Sequence, residues 1–120
     1  MILIAAEKNF ENKIKAFFKE KEIWYVKYFA NRMTKVGIPD ILANVNGYFV
    51  AVEVKASNGK PSELQKYNVN KINKSNGFAV ILYPEQFETF KTLILSLIFN
   101  DKERARELTN EINARWLNAS

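Results

Sequence analysis

The dipeptide Asn46-Gly47 is the feature that most limits what this chain can fold into. A two-residue hairpin turn needs a positive φ at both central residues, and Asn-Gly adopts that conformation readily. Apolar, largely β-branched sequence flanks the dipeptide, from about Pro39 to Val45 and from Tyr48 to Lys55. The sequence therefore predicts a tight antiparallel hairpin whose register can be counted outward from the turn.

The register of this hairpin brings two carboxylates together. With Val45 opposite Tyr48, counting outward places Asp40 directly opposite Glu53. Opposed side chains on one face have Cβ atoms about 4.5–5.5 Å apart, and two carboxylates at that distance repel each other unless a cation lies between them. Mg²⁺ accepts one or two protein carboxylates and completes its shell with water and phosphate oxygens. The pair is therefore a candidate metal site.

Lys55 is expected to project from the same face as this pair, because side chains alternate along a strand. The other face of the strand is apolar and should point to the core; it carries Tyr48, Val50, Val52 and Val54. Hydrolysis of a phosphodiester adds negative charge to the phosphate, and a metal ion with an ammonium group stabilises that charge. Two exposed strand charges balanced by Lys55 are the simpler alternative.

The remaining pattern predicts an α/β fold in one domain, residues 1–120. Helical spacing of Phe10, Ile14, Phe17 and Phe18 predicts a helix over 7–21, and strands are expected at 23–29 and 79–83. A helix should run from Ser62 to about Asn76 with Gly77 as its stop. The order is α-β-β-β-α-β, with about four strands in a mixed sheet in a core of about 7–83 and two extra helices over about 84–117.

Composition removes several kinds of chemistry. The chain has no cysteine and no histidine, which excludes disulfides, thiolate or imidazole metal ligands and Ser-His catalysis. A net charge of +5 is compatible with a polyanionic partner and is also common among proteins without one. We find no signal peptide and no apolar stretch long enough to span a membrane, so a cytoplasmic protein is expected.

Two motifs resemble a known superfamily. GIPDIL, followed after the hairpin by VEVK and by a Ser-x-x-Gln helix start, resembles the PD-(D/E)xK nucleases, in particular the VRR-Nuc and archaeal Holliday-junction-resolvase branch. The resemblance covers about residues 7–83 and implies a restriction-endonuclease-like fold. It implies that Asp40, Glu53 and the backbone carbonyl of Val54 hold Mg²⁺ or Mn²⁺, and that Lys55 orients or deprotonates the attacking water. Glu-x-Lys alone is not specific, since residues 11–13 match it too.

Glu11 and Gln65 are further candidates for the same site, each with a structural alternative. Glu11 shares a helix face with apolar residues, and the resemblance implies that an acid on the first helix completes the metal site; a boundary residue interacting with the helix dipole is the alternative. Gln65 occupies the family's glutamine position beside the active site, which implies that it either holds a catalytic group in place or positions water. It is also the third residue of a Ser-x-x-Gln capping box with Ser62.

Three basic residues are weaker candidates for DNA contacts. Lys27 on the first strand, with Arg32 and Lys35 in the loop before the motif, could supply contacts to phosphates, although such residues are more often solvated surface charges. The apolar stripe from Phe87 to Ile98 is expected to be core, with a dimer interface as the alternative.

The sequence favours a metal-dependent DNA endonuclease. The resemblance implies branched or flap-structured double-stranded DNA as substrate. It also implies a homodimer, which the apolar C-terminal stripe would permit. Two alternatives remain: a catalytically inactive nucleic-acid-binding module of the same fold, and a sequence-specific restriction-type endonuclease. The complete Asp, Glu and Lys set argues against the first, and the short chain leaves little room for a separate recognition domain.

Overall fold

The computed structural model describes residues 2–29 and 36–119. In these ranges the chain forms, in order, α1 (Ile2–Glu20), β1 (Trp24–Lys27), β2 (Ile41–Val45), β3 (Tyr48–Val54), α2 (Glu63–Lys74), β4 (Phe78–Leu82), a 3-10 turn (Pro84–Gln86), α3 (Phe87–Ile98) and α4 (Lys102–Leu117). The predicted fold is confirmed, although α1 begins five residues earlier than expected because Ala and Leu in its first turns favour helix. No helix in the described ranges is long and apolar enough to cross a membrane.

The predicted hairpin has the expected turn and register. Asn46 and Gly47 have φ values of 53° and 86°, as a two-residue turn requires. Val45 pairs with Tyr48, and the pairing continues without a bulge to Ile41 opposite Val52. The next positions outward along the two strands of the hairpin are Asp40 and Glu53, so the hairpin brings these two residues to the same end of the sheet.

The sheet is mixed, with strand order β1-β2-β3-β4 in the described part of the chain. Both β1–β2 and β2–β3 are antiparallel, whereas β3–β4 is parallel. One face packs against α1, α3 and part of α4. The core on this face includes Val50, Val52 and Val54 from β3, Ile14 and Phe18 from α1, and Phe90, Leu93, Ile94 and Leu97 from α3. The α3 stripe is therefore interior, and its buried residues do not provide a dimer surface.

The opposite face of the sheet is partly covered by α2 and the end of α4. Ala51 and Ile81 pack there with Val69 of α2 and Trp116 of α4. This covering explains why Glu53, which follows Ala51 on the same face, is buried rather than solvated. Towards β1 the same face is open, and Trp24 and Phe49 are 65% and 47% exposed.

Side-chain amides close the β4 edge of the sheet. Asn73 bonds both the N–H and the carbonyl of Ala79. Asn113 of α4 accepts from the Ile81 N–H and donates to the same carbonyl. An edge strand with unpaired backbone groups invites pairing with another chain. These two asparagines remove that opportunity and fix α4 against the sheet.

The end of α2 differs from the sequence prediction. The helix ends at Lys74 rather than near Asn76, and Asn76 takes the left-handed conformation, with a φ of 75°. Gly77 is needed for a different reason: a Cβ atom there would lie 2.6 Å from Cγ2 of Ile72. The glycine thus marks a close approach to the helix and not the helix stop that was predicted.

Candidate active site

The acidic pair lies where β2 begins and β3 ends. Asp40 directly precedes β2, and its Oδ2 accepts a hydrogen bond of 2.8 Å from the Val54 N–H. This bond extends the hairpin beyond its last backbone pair and fixes the Asp40 carboxylate beside Glu53. The two carboxyl groups are within hydrogen-bonding reach of each other. The register argument from the sequence therefore describes the local geometry correctly.

Burial makes this pair electrostatically costly. The Glu53 side chain is almost completely buried, and burial, followed by the charge of Asp40, raises its pKa to about 8. Two carboxyls this close do not both ionise readily in a low-dielectric site. Without a cation, Glu53 therefore holds its proton to a higher pH than an ordinary glutamate, because both burial and the Asp40 charge raise its pKa. A bound divalent ion would remove the repulsion that holds it there.

Lys55 and Gln65 both reach Glu53. The Lys55 ammonium lies 3.6 Å from Glu53 Oε2, on the side of the strand that alternation predicts. The Gln65 amide donates from Nε2 to the same oxygen at 3.0 Å, while its Oε1 accepts from the Ser62 N–H at 2.9 Å. The capping box is completed by Ser62 Oγ, which accepts from the Gln65 N–H. The two explanations considered for Gln65 are therefore both geometrically satisfied.

Lys27 lies between Glu11 and Asp40. Its ammonium donates to Glu11 Oε1 at 2.7 Å and lies 3.5 Å from Asp40 Oδ1. Burial alone would lower the pKa of Lys27, but the Glu11 hydrogen bond and the Asp40 charge outweigh it and raise the pKa. Lys27 is therefore a charged, half-buried group at the edge of the acidic pair. The sequence suggested a contact to DNA phosphates, or a solvated surface charge, and the phosphate contact stays a prediction.

Glu11 meets lysines in this structure. Its other oxygen, Oε2, is 2.8 Å from Lys15 and 3.4 Å from Lys8. Burial would raise the pKa of Glu11, but the hydrogen bonds from Lys15 and Lys27 lower it to about 2. The cation that explains an acid on this apolar helix face is thus an ammonium group, and direct metal binding by Glu11 stays a prediction.

Glu7 is a residue that the sequence reasoning missed. It lies one turn before Glu11 on α1 and is hydrogen-bonded to the Ala56 N–H just beyond Lys55. Burial raises its pKa; the charge of Lys55 lowers it and that of Asp40 raises it again. Its spacing of four residues from Glu11 was the available signal. Only the packing of α1 against the end of β3 shows that Glu7 faces Lys55.

The donor set at this end of the sheet suits a hard divalent cation. Across residues 2–29 and 36–119, no group of three His, Cys, Asp or Glu side chains is arranged to hold an ion. The protein donors would therefore be Asp40, Glu53 and the Val54 carbonyl, which is on the same side of its strand as the Val54 N–H that binds Asp40. Mg²⁺ accepts such a sparse set because it keeps several waters. Arg32 and Lys35 lie outside the described residues.

The mixed sheet flanked by helices is consistent with the restriction-endonuclease-like class of fold, and it carries an acidic pair and a lysine at one end. Residues 5–87 match the archaeal Holliday junction resolvase (Hjc) family. Because the match covers well over half of the chain, the protein belongs to this family, which is part of the PD-(D/E)xK nuclease superfamily. Searches of curated proteins and of solved structures returned no match.

Proposed function

We propose that this protein is a Mg²⁺- or Mn²⁺-dependent endodeoxyribonuclease that hydrolyses phosphodiester bonds in branched DNA. The observation that carries the proposal is the convergence of Asp40, Glu53 and Lys55 at one end of the sheet. Family membership supplies the substrate class, since the family is named for Holliday junctions. The net charge of +5 agrees with a polyanionic partner.

Each group has a separate task in this proposal. Asp40, Glu53 and the Val54 carbonyl hold the metal, which when bound polarises the phosphate and makes water easier to deprotonate. Lys55 orients the attacking water, or takes its proton, and offsets charge that develops on the phosphate. Gln65 fixes the Glu53 carboxylate through the bond from Nε2. Lys27 restrains Asp40 from the opposite side, and Glu11 positions Lys27.

Two finer assignments rest on the sequence motif. The succession of Gly-x-Pro-Asp, Glu-Val-Lys and Ser-x-x-Gln is also typical of VRR-Nuc proteins, so we place the chain on that side of the superfamily. Flap-structured DNA is therefore included with four-way junctions among the proposed substrates. A nuclease of either kind recognises the shape of the DNA and contacts its backbone, which requires no separate domain for reading bases.

A homodimer is part of the proposal, since a four-way junction is resolved by two incisions and each chain has one candidate site. The α3 stripe does not support it, because its central apolar residues are buried, namely Phe90, Leu93, Ile94 and Leu97. The open face near β1 does: Trp24 lies opposite Asn44, which in turn lies opposite Phe49, so the two exposed aromatics share one side of the sheet. Light scattering of wild type and of Trp24→Ser with Phe49→Ser tests this point.

A cleavage assay with a matched control tests the function. Asp40 and Asp101 are the two aspartates of the chain, and Asp101 accepts from the Arg104 N–H at the start of α4. Asparagine caps a helix about as well as aspartate. Wild type, Asp40→Asn and Asp101→Asn are therefore incubated with a four-way junction, a flap and a linear duplex of the same sequence, each with Mg²⁺, Mn²⁺ or EDTA.

The expected result is metal-dependent cleavage of the branched substrates by wild type and Asp101→Asn, with a loss of at least about a hundredfold in Asp40→Asn. Binding of junctions without cleavage in either metal would indicate the inactive binding module instead. Cleavage of linear duplex at one sequence, without preference for branches, would indicate a restriction-type enzyme. Equal cleavage by Asp40→Asn would remove the proposed active site.

A further inference from the structure

A concave surface adjoins the candidate active site. The loop after Lys55 (residues 57–61), the first turns of α2 and the end of α4 enclose a cavity of about 530 Å³. We call it the loop cavity; its lining residues include Lys60, Lys66, Tyr83, Arg115 and Trp116. Part of its wall belongs to α4, which lies beyond the segment that matches the resolvase family.

All the charged residues that line the loop cavity are cationic. Three of its lining residues, Lys60, Lys66 and Arg115, are cationic, and none of the described residues that line it is acidic. Lys66 and Arg115 also bond glutamates that do not line the cavity. A groove of similar volume, about 490 Å³, lies between α1 and α3 and mixes three lysines with two glutamates. The loop cavity is therefore the better of the two for an anion.

The loop cavity is separated from the active site by a single residue. Gly59 lines the cavity, and a Cβ atom at this position would lie 3.4 Å from Cδ of Lys55 and 3.2 Å from the Ala56 carbonyl oxygen. The backbone of Gly59 thus packs closely against the side chain of Lys55. A DNA strand whose phosphate reaches Lys55 has to pass this loop or leave the surface on another side.

The loop is held in place by hydrogen bonds to Arg115, Tyr83 and Glu85. Arg115 donates to the Ser57 carbonyl at 2.9 Å and to Glu85 at 2.7 Å, and its guanidinium lies 3.7 Å from the centroid of the Tyr83 ring. The Tyr83 hydroxyl donates to the Gly59 carbonyl at 2.9 Å, and the Ser57 hydroxyl bonds Glu85. A loop fixed at both Ser57 and Gly59 presents Lys60 in a defined place. Preorganised cations bind phosphates with a smaller loss of entropy.

We infer that the loop cavity binds a phosphate of the DNA backbone next to the phosphate that is cleaved, with Lys60 and Lys66 as its contacts. The inference rests on the proposed function and specifies where the substrate strand continues beyond Lys55. Arg115 is assigned to hold the loop, because its guanidinium is already bonded to Ser57 and Glu85. The contacts are to phosphate and carry no base preference.

Salt-dependent binding tests the inference with closely matched variants. Lys66 and Lys91 each bond a glutamate three residues earlier at 2.9 Å, and Lys60 and Lys21 are both exposed. Lys91 and Lys21 line the α1–α3 groove. The double variants Lys60→Ala with Lys66→Ala, and Lys21→Ala with Lys91→Ala, thus remove equal charge from the two surfaces. Binding to a labelled four-way junction is measured by fluorescence anisotropy in EDTA over a range of NaCl concentrations.

The loop-cavity variant is expected to bind more weakly, with a slope of log K against log [NaCl] that is smaller in magnitude by about 1, since the one phosphate that the cavity binds contributes about 0.9. The groove variant should keep the wild-type slope, and Lys60→Arg with Lys66→Arg should restore it. If both Ala variants change the slope equally, or neither does, while wild type still binds and cleaves, the inference fails and the proposed function stands. If wild type neither binds nor cleaves DNA, both fail.

Discussion

The side chain of Gln65 donates to Glu53 Oε2 at 3.0 Å with one end of its amide and completes the N-terminal cap of α2 with the other. One residue thus links the start of a helix to the buried carboxylate of the candidate active site. The position of Glu53 depends on where α2 begins, because the cap sets the direction of the Gln65 amide. The two functions of Gln65 can be separated by mutation.

Gln65→Ala removes the bond to Glu53 and the bond that Oε1 accepts from the Ser62 N–H. Ser62→Ala removes the other half of the cap and leaves Gln65 Nε2 free to reach Glu53. Both variants should lose about 1 kcal/mol of stability, measured by thermal or urea unfolding. Only Gln65→Ala should also lower metal affinity or cleavage rate, by about 10- to 100-fold. Equal activity losses in the two variants would indicate that the glutamine acts only as a cap.

The raised pKa of Glu53 predicts that metal affinity depends on pH. The pKa is about 8 in the metal-free folded protein, against 4.5 for an ordinary glutamate, so the folded state binds the extra proton between these values. The free energy of unfolding therefore falls as pH rises through this window, and a metal that needs the ionised carboxylate displaces the proton. Affinity for Mg²⁺ or Mn²⁺ should rise by up to about tenfold per pH unit below pH 8.

Isothermal titration calorimetry at pH 6, 7 and 8, in two buffers of different ionisation enthalpy, measures both the affinity and the proton released on metal binding. Asp40→Asn is the informative comparison, because it removes the charge that contributes to the raised pKa of Glu53. The variant should bind metal weakly and with less proton release. An affinity for wild type that is constant from pH 6 to 8 would contradict the proposed protonation of the pair.

The hairpin could be predicted closely because its determinants are local. Asn46-Gly47 fixes the turn and the register, which places Asp40 and Glu53 without any knowledge of the rest of the fold. The side of the strand on which Lys55 lies followed from alternation alone. What the hairpin does not specify is which helices cover it. The burial of Glu53 depends on α2, and no local pattern gives that packing.

The other parts of the site needed the tertiary structure. Lys27 looks like a surface lysine in sequence, and its location between Glu11 and Asp40 results from the packing of α1 beside β1. Glu7 was missed because Glu7 and Glu11 lie one turn apart on α1, and the sequence does not show which of the two approaches Lys55. The two possibilities for Gln65 could not be decided from the motif, because an amide has a donor and an acceptor and the structure uses both.

Glu11→Gln is expected to reduce stability by about 1–3 kcal/mol, because it leaves Lys27 and Lys15 without the charge that balances them. The low pKa of Glu11, about 2, means that its contribution is present above pH 4.5 and is lost as pH falls towards 2. Urea unfolding at pH 7 and pH 3 should therefore differ less in the variant than in wild type. Glu20→Gln, an exposed change at the end of the same helix, serves as the control.

Metal titration of Glu11→Gln then decides how this residue contributes to the site. If Glu11 acts through Lys27, the affinity for Mg²⁺ or Mn²⁺ should remain within a fewfold of wild type even though the protein is less stable. A loss comparable to that of Asp40→Asn would place Glu11 among the metal ligands, and would require its lysine partners to move aside when the ion binds.

Arg115→Ala should loosen the loop beside Lys55 without unfolding α4. The arginine bonds the Ser57 carbonyl and packs on Tyr83, which in turn bonds Gly59. Because Gly59 rests on the Lys55 side chain, motion of the loop should misplace that ammonium group and lower the cleavage rate by roughly tenfold. Hydrogen exchange of the amides at 57–60 should become faster, and stability should fall by only about 1 kcal/mol because Arg115 is partly exposed.

Arg106→Ala provides the comparison, because Arg106 also ties α4 to the body of the protein but does so at the opposite end of α2. It bonds Asn73 and the Gly77 carbonyl and lies over the Phe78 ring. This variant should lose stability while exchange at 57–60 and cleavage rate stay near wild type. If both variants reduce cleavage equally, α4 affects the active site through overall stability and not through the loop. If Arg115→Ala leaves loop exchange unchanged, the loop is held by the Tyr83–Gly59 and Ser57–Glu85 hydrogen bonds and does not need the arginine.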